Sequence, residues 1–273
     1  MAGARAVHRP AILLVVLASR DCAAIGSHVK KILIAGATSA IARGFARAAA
    51  ERGDALFLVG RSPERVNDTA SDLRVRGSPA VGTFVMDLNE TARLPEMIAL
   101  AEKTMDGFDT LLIAHGTLTH QPAAEKDLGL LERELATNFT SAAVLLALVA
   151  NRFEEKKSGS LAVITSVAGD RGRQSNYIYG AAKAGLIAFA SGLRGRLLKS
   201  GVSVTDIRPG FVDSPMTAHV KKNFLFAPSD AVGRQIYKAV DRRKDVVYLP
   251  WFWRWIMFLI RHVPERVFKK LKF

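Results

Sequence analysis

The chain has 273 residues, 49% apolar and 23% charged, a balance that excludes a disordered, collagen-like or disulfide-built protein. Its single cysteine, Cys22, cannot form an internal bridge, and its six histidines are too scattered for a metal centre, so none is expected. The formal charge of +14 points to phosphorylated ligands or an acidic membrane surface. With no zinc finger or RNP-like run, and with basic residues spread over many segments, nucleic acid is not expected.

Residues 1–28 form an N-terminal extension unlike the rest. Pro10–Ala18 is apolar and follows Arg5 and Arg9, which imitates a signal-peptide core but falls short of the roughly 20 residues that span a bilayer. A nucleotide-binding pattern opens almost at once at Lys30, which argues against export. Three readings stand: a non-native or disordered extension ahead of a start near Val29, a signal or anchor, or a dispensable arm. A cytoplasmic protein is expected.

From Lys30 the pattern alternates. Lys31–Gly36 is an apolar run of buried-strand type, and Ala40–Gly53 has helical spacing. Ala55–Gly60 predicts a second strand, followed by a polar helix from Pro63 to Arg76. Val81–Leu88, Asp109–His115, Ser160–Ser166, Val202–Arg208 and Val246–Leu249 predict further strands, separated by helical stretches. Continuous apolar strands alternating with helices imply right-handed crossovers and a parallel sheet. The expected fold is α/β: one Rossmann-type doubly wound domain over residues 29–249, with a C-terminal amphipathic helical tail over 250–273. Long apolar helices around Leu128–Phe153 and Tyr177–Lys199 exceed what one sheet face needs, and a homodimer or homotetramer is expected through them.

The turn after the first strand runs Gly36-Ala37-Thr38-Ser39-Ala40-Ile41-Ala42. Small residues there let backbone approach a pyrophosphate at a helix N-terminus, although Ala40 and Ala42 stand where a dinucleotide turn usually has glycines. At the end of the second strand an acidic residue would bind ribose hydroxyls. This chain has Arg61 instead, a guanidinium placed to clamp a 2′-phosphate, with Arg43 as an assistant. NADP(H) is therefore expected in preference to NAD(H). Asp87 and Leu88, closing the third strand, are placed to meet the adenine.

Tyr179 and Lys183 stand four apart on one helix face. An ammonium beside a phenol, together with the charged nicotinamide ring of an oxidised cofactor, stabilises the phenolate and makes it an acid–base catalyst near neutrality. Chance alone gives a Tyr-x-x-x-Lys about 0.2 times in such a chain, and about 0.01 times with a serine at the offset of Ser166. Ser166, at the end of the fifth predicted strand, could hold a substrate carbonyl, and Asn138 on the preceding long helix could complete a proton relay. Tyr177, the neighbouring tyrosine, is assigned to packing or substrate contact.

Together Gly36, Ala40, Ala42, Asp87, Asn138, Ser166, Tyr179, Lys183 and Pro209-Gly210 resemble the short-chain dehydrogenase/reductase family over roughly Lys30 to Leu249. The resemblance implies Tyr179 as general acid/base, Lys183 on the nicotinamide ribose, Ser166 orienting the carbonyl and Asn138 anchoring a relay water. It also implies that Pro209, Gly210, Val212 and Ser214 meet the nicotinamide, and that Ala114 and Gly116 line the cofactor. The family's Asn-Asn-Ala-Gly is here Ile113-Ala114-His115-Gly116, with His115 read as a packed loop residue.

A narrower set lies outside this core: Asp170-Arg171-Gly172-Arg173-Gln174-Ser175-Asn176, Ile207-Arg208-Pro209-Gly210, Met216 to Lys221, and Leu249 to Leu271. It resembles the reductases of decaprenylphosphoryl-ribose 2-epimerase systems, in which a flavin oxidase makes a 2-keto sugar lipid and the reductase returns the epimer. That resemblance implies a lipid-linked sugar substrate and a flavin-dependent oxidase partner. Arg171 and Arg173 are then expected to meet a phosphodiester, with Tyr177, His219 and Lys221 at the substrate. Trp251–Ile260 carries one charge in ten residues and is followed by basic residues, which suits peripheral contact of 251–273 with the inner membrane face, or packing on the domain itself. A general ketoreductase of hydrophobic or acyl ketones is the alternative. A cofactor-bound supporting subunit of an oxidase is a third reading.

Overall fold

The computed structural model describes residues 29–218 and 220–271; the expectations for 1–28 and for His219 lie outside the described residues. β1 (Lys31–Ala35) passes through a glycine turn into α1 (Ala40–Ala50). β2 (Ala55–Gly60) leads to α2 (Pro63–Val75), which starts where the Ser62 hydroxyl accepts the Arg65 amide and Pro63 presets the first turn. β3 (Val81–Val85) is followed by α3 (Leu94–Met105), and β4 (Thr110–Ile113) by the short α4 (Gln121–Ala124) and α5 (Leu128–Leu135). A π-helical turn, Ala136–Thr140, joins α5 to α6 (Ser141–Lys156). Then come β5 (Ser160–Ile164), α7 (Tyr177–Leu197) and β6 (Ser203–Pro209). A two-residue parallel pair, β7 (Val212–Asp213) and β8 (Ala227–Pro228), precedes α8 (Ser229–Asp241), β9 (Val246–Leu249), α9 (Trp253–His262) and α10 (Glu265–Phe268).

The main sheet has seven parallel strands in the order β3-β2-β1-β4-β5-β6-β9. Alternate residues of β1 feed opposite cores, as the pleat requires. Leu33 and Ala35 face a core of Phe57, Ile98, Leu146 and Leu193, beneath α3, α6 and α7. Ile32 and Ile34 face Phe45, Leu58, Val66 and Ile236, beneath α1, α2 and α8. The helical run Leu128–Lys156 is long and apolar enough to cross a membrane, yet Leu145, Leu146, Val149 and Phe153 are buried in the domain core.

Strand order reverses between β1 and β4, which opens a crevice at their carboxyl ends. Three predicted strands end early at that edge: β3 stops at Val85, β4 at Ile113 and β5 at Ile164. The residues released from the ladder, Asp87–Leu88, Ala114–Gly116 and Thr165–Ser166, line the crevice instead. Beyond β9 the chain folds back. Trp253 and Met257 of α9 bury against Val167, with Phe211 and Tyr248 packed on the same cluster.

Candidate active site

The crevice runs from the N-terminus of α1 to the N-terminus of α7 as two adjoining hollows that share Ser39, Ala114, Gly116 and Ser214 on their walls. The first belongs to the Gly36 turn. Gly36 takes φ +87°, and a Cβ there would lie 2.5 Å from the His115 backbone nitrogen, so only glycine lets the exit from β1 cross that from β4. The amides of Gly36 and Ala37 both bond the Val59 carbonyl at 2.9 Å, drawing the turn toward β2. Ser39 is extended at the start of α1 and makes no side-chain cap, so amide donors at the positive end of the helix dipole border the hollow.

Thr38, Ser39, Ala40 and Ile41 line this hollow from one side, and Asp87, Leu88, Ala114 and Gly116 from the other. Arg61 stands exposed at its corner, 4.0 Å from the Asp87 carboxylate. Beside it is Arg65, which the sequence reading missed; its guanidinium donates to the Thr38 carbonyl at 3.2 Å. Its signal was present, an arginine in the first turn of the helix that follows Arg61. Arg43 lines an adjoining hollow with Arg47, Arg65 and Asp68 rather than the crevice itself. A tight glycine crossing, a bare helix start and two guanidinium groups make a cradle that fits a phosphorylated dinucleotide.

The second hollow holds the candidate catalytic set. Ser166, Tyr179, Lys183 and Asn138 all line it, with Pro209, Gly210, Val212 and Ser214 opposite. Ser166 is aimed by its neighbours: its hydroxyl accepts the Ala168 amide at 3.0 Å, and the Thr165 hydroxyl donates to buried Asp206 at 2.6 Å. Asp206 in turn pairs with Arg208 at 2.7 Å, and Arg208 with Asp170 at 2.7 Å, while the Tyr248 hydroxyl donates to Asp170 at 2.8 Å. Asp170 and Arg208 thus brace the loop after β5 from within.

Asn138 is delivered by the π-helical turn, a device that reorients side chains at functional sites. Its amide donates to Glu134 Oε1 at 2.6 Å, and its Oδ1 accepts the Thr117 amide at 3.1 Å. Glu134, also missed from sequence, is buried four residues before Asn138 and accepts the hydroxyls of Thr117 and Thr119 as well. Lys183 donates to the Ile164 carbonyl at 3.1 Å. Burial pulls its pKa down to about 8, against the carboxylates of Glu134 and Asp206, which favour the ammonium.

The chain's own groups do not lower the tyrosine; the expected lowering counts also on the charge of an oxidised nicotinamide ring. Burial pushes Tyr179 up to about 12, only partly opposed by hydrogen bonding to Ser166. Lys183 Nζ lies over the Tyr179 ring, 5.7 Å from its centroid. The phenol therefore holds its proton at neutral pH, which suits a donor to a carbonyl oxygen. His115 is buried and bonded to Ser141 at 2.9 Å, and burial drives it down to about 3. It is a neutral packed residue, as read from sequence.

The proposed substrate residues part company. Arg173 lines the hollow, and its buried Nε has no partner. Arg171 does not line it. Its guanidinium donates at 2.6 Å to the carbonyls of Ile260 and Val263, pairs with Glu265 at 2.7 Å and stacks 3.6 Å from the Phe268 ring centroid. It is saturated by the C-terminal segment, so the expected phosphate contact is replaced by a clamp. Tyr177 is exposed at the start of α7, and Lys221 is exposed beside the cleft; neither lines it. His219 is outside the described residues. Asn176 and Trp253, which lie within the narrower set of segments but were not named as site residues, do line it.

Residues 30–224 match the short chain dehydrogenase family, and the chain belongs to the short-chain dehydrogenase/reductase family. It is 33% identical over 240 residues to an uncharacterized oxidoreductase of Mycobacterium tuberculosis, covering 88% of this chain and 96% of the relative. A Streptomyces coelicolor oxidoreductase is 31% identical over 247 residues, covering 89% and 96%. Among solved structures, an actinorhodin polyketide ketoreductase with NADPH superimposes with TM-score 0.72 at 20% identity, over 81% of this chain and 95% of its own. A Burkholderia cenocepacia dehydrogenase with bound NADP does so with TM-score 0.72 at 19% identity, over 81% and 91%. The chain is thus a nicotinamide-dependent oxidoreductase acting between an alcohol and a carbonyl.

Proposed function

We propose that the protein is an NADPH-dependent reductase of the 2-keto group of a polyprenylphosphoryl pentose, working at the cytoplasmic membrane face with a flavin-dependent oxidase that generates the ketone. The observation that carries the anionic substrate is Arg173, a cation that lines the cleft beside Tyr179. NADP preference rests on Arg61 and Arg65 flanking the corner where a 2′-phosphate would lie.

NADPH, held by the Gly36 turn, Arg61 and Arg65, would supply the hydride for the carbonyl carbon. Ser166 holds the carbonyl oxygen, and Tyr179, a protonated phenol, gives it the balancing proton. The Lys183 ammonium supports the developing phenolate, and Glu134 and Thr117 hold Asn138 at the inner end of the relay.

The membrane part of the reading rests on α9 and its flanks. Trp251, Trp255, Phe258 and Leu259 are exposed, alongside exposed Arg254, Arg261, Arg266, Lys269 and Lys270. Aromatic and leucine side chains among arginines and lysines suit an anionic lipid interface. Subunit contact through α6 and α7, as a dimer or tetramer, belongs to the same proposal.

A reductase of hydrophobic ketones is the second reading, favoured by Leu118, Phe211, Met216 and Val220 on the cleft wall. The deciding assay is NADPH oxidation with a 2-keto-pentosyl polyprenyl phosphate beside a 3-oxoacyl thioester, with Tyr179→Phe as control. Turnover of the sugar lipid alone, lost in the variant, is the expected result. Reduction of the thioester alone would leave the family chemistry standing and sink the epimerase reading. Full cellular function of Tyr179→Phe would point instead to a supporting subunit of an oxidase.

A further inference from the structure

Glu134 sits on α5 with only 2% of its surface exposed, and it lines neither hollow. A carboxylate is rarely taken out of water without a cation beside it. Here its hydrogen-bond partners are all uncharged: the Asn138 amide at 2.6 Å, the Thr117 hydroxyl at 2.9 Å and the Thr119 hydroxyl. These donors satisfy its oxygens but bring no positive charge.

The bonds have a direction. A carboxylate can only accept, so the Asn138 NH2 faces Glu134, and its Oδ1 is turned the other way, onto the Thr117 amide at 3.1 Å. Thr117 closes the ring, since its hydroxyl accepts from Asn138 at 3.2 Å while donating to Glu134. A Cβ at Gly116 would lie 2.6 Å from Asn138 Oδ1 and 3.6 Å from Lys183 Nζ. Glycine there lets the acceptor end of the amide and the ammonium approach one spot.

Lys183 is buried too, with a bond to the Ile164 carbonyl at 3.1 Å. The ionisable groups that face it are Tyr179 from its own helix, His115 from the loop after β4, Asp206 from β6 and Glu134 from α5. His115 is neutral, and Asp206 is already paired with Arg208 at 2.7 Å. Glu134 has no such pairing, and of the two carboxylates it favours the ammonium more strongly. A buried anion and a buried cation thus stand on either side of Asn138.

We propose that Glu134 is a positioning residue of the reduction: its carboxylate sets the orientation of the Asn138 amide and, across that amide, supplies the counter-charge for the Lys183 ammonium. The proposal rests on the Tyr–Lys chemistry of the family and not on which ketone is reduced. Glu134 keeps Lys183 protonated to a higher pH than burial alone would permit, and its charge adds to burial in holding the Tyr179 proton. One carboxylate favours both protons that carbonyl reduction uses.

The main test needs no substrate. Urea-unfolding stability of the cofactor-free protein is followed from pH 6 to 10 for wild type, Glu134→Gln and Glu134→Asp, each with and without Lys183→Met. The difference within each pair is the contribution of Lys183. In wild type it should be flat below about pH 8 and rise above it, because the folded lysine loses its proton before the unfolded one. Glu134→Gln should move that onset down to about pH 7, and Glu134→Asp, which keeps the charge, should leave it within about 0.3 pH of wild type. An unmoved onset in Glu134→Gln, or an equal shift in Glu134→Asp, would overturn the proposal. If Glu134→Gln alone fails to fold, recovery of folding in Glu134→Gln/Lys183→Met supports the pairing, and no recovery overturns it.

With a ketone that wild type reduces, the loss of kcat/KM in Glu134→Gln should be about 8-fold larger at pH 8.5 than at pH 6. Equal losses at both pH values would mark a merely structural role and overturn the proposal. Absence of turnover by wild type would count against the substrates named above, while the stability measurement still decides the role of Glu134.

Discussion

The two halves of the crevice are built in different ways. The cofactor half is made of short consecutive segments, each leaving the sheet at the same edge: the Gly36 turn, Arg61, Asp87–Leu88 and Ala114–Gly116. The substrate half draws on the loop after β5, the start of α7, the loop after β6 and a helix beyond the last strand. The first offers backbone amides and a helix dipole to any phosphate of the right shape. The second offers individual side chains. A cofactor site can therefore be shared across a family while the substrate site is particular to one chain.

The largest expected effect belongs to the chemistry that both halves serve. Tyr179→Phe should lower kcat for any ketone by about 10^3-fold or more, with cofactor binding unchanged, as read from steady-state rates and NADPH fluorescence. A variant that retained a tenth of the rate would mean that another group delivers the proton.

Next comes the cofactor half. Replacing Arg61 and Arg65 together by glutamine should raise KM for NADPH about 10- to 100-fold and leave KM for NADH within about threefold. Equal losses for both cofactors would show that the arginines shape the turn and do not read the phosphate.

Lys183 gives a pH test. Its buried ammonium titrates near pH 8, so kcat/KM for reduction should fall as pH rises through 8 while the phenol of Tyr179 is still protonated. The stability sign is opposite. The folded value lies below the ordinary 10.5, so between about pH 8 and 10.5 the unfolded chain binds more protons and stability rises with pH. Lys183→Met should therefore lose activity yet be more stable at pH 7 by about 1 to 3 kcal/mol, an advantage that shrinks above pH 8. Parallel urea titrations at pH 7 and pH 9.5 would show it.

The smallest effect is expected at the clamp. Arg171→Gln removes the ion pair with Glu265 and weakens the bonds to the Ile260 and Val263 carbonyls. It should cost about 1 to 2 kcal/mol in urea unfolding, and it should raise KM for substrate more than KM for NADPH. An equal rise in both would show that the C-terminal segment supports the whole crevice, not its substrate half.

How far each part was legible follows the range of the interactions that make it. The buried strands, the Gly36 turn, Arg61 and the pairing of Tyr179 with Lys183 depend on neighbours within a few residues, so spacing and residue type were enough. Arg65 and Glu134 were also written locally, one helical turn from residues already singled out, and were overlooked. Other features had no local signature. The fate of Arg171 depended on carbonyls about 90 residues away, and its charge alone could not distinguish a phosphate ligand from a clamp. The Tyr179 proton depended on burial, which spacing along the chain does not give.

By itself, then, the sequence determined the alternation of strand and helix, the parallel sheet and the placing of Tyr179 and Lys183 on one helix face, because hydrophobic periodicity and helical spacing act at short range. Only the tertiary structure decided which arginine faces the cleft, that a π-helical turn presents Asn138, and that Trp253 closes the substrate side. Those outcomes come from packing between segments far apart in the chain, where the space left by one glycine, Gly210, accommodates the edge of one indole.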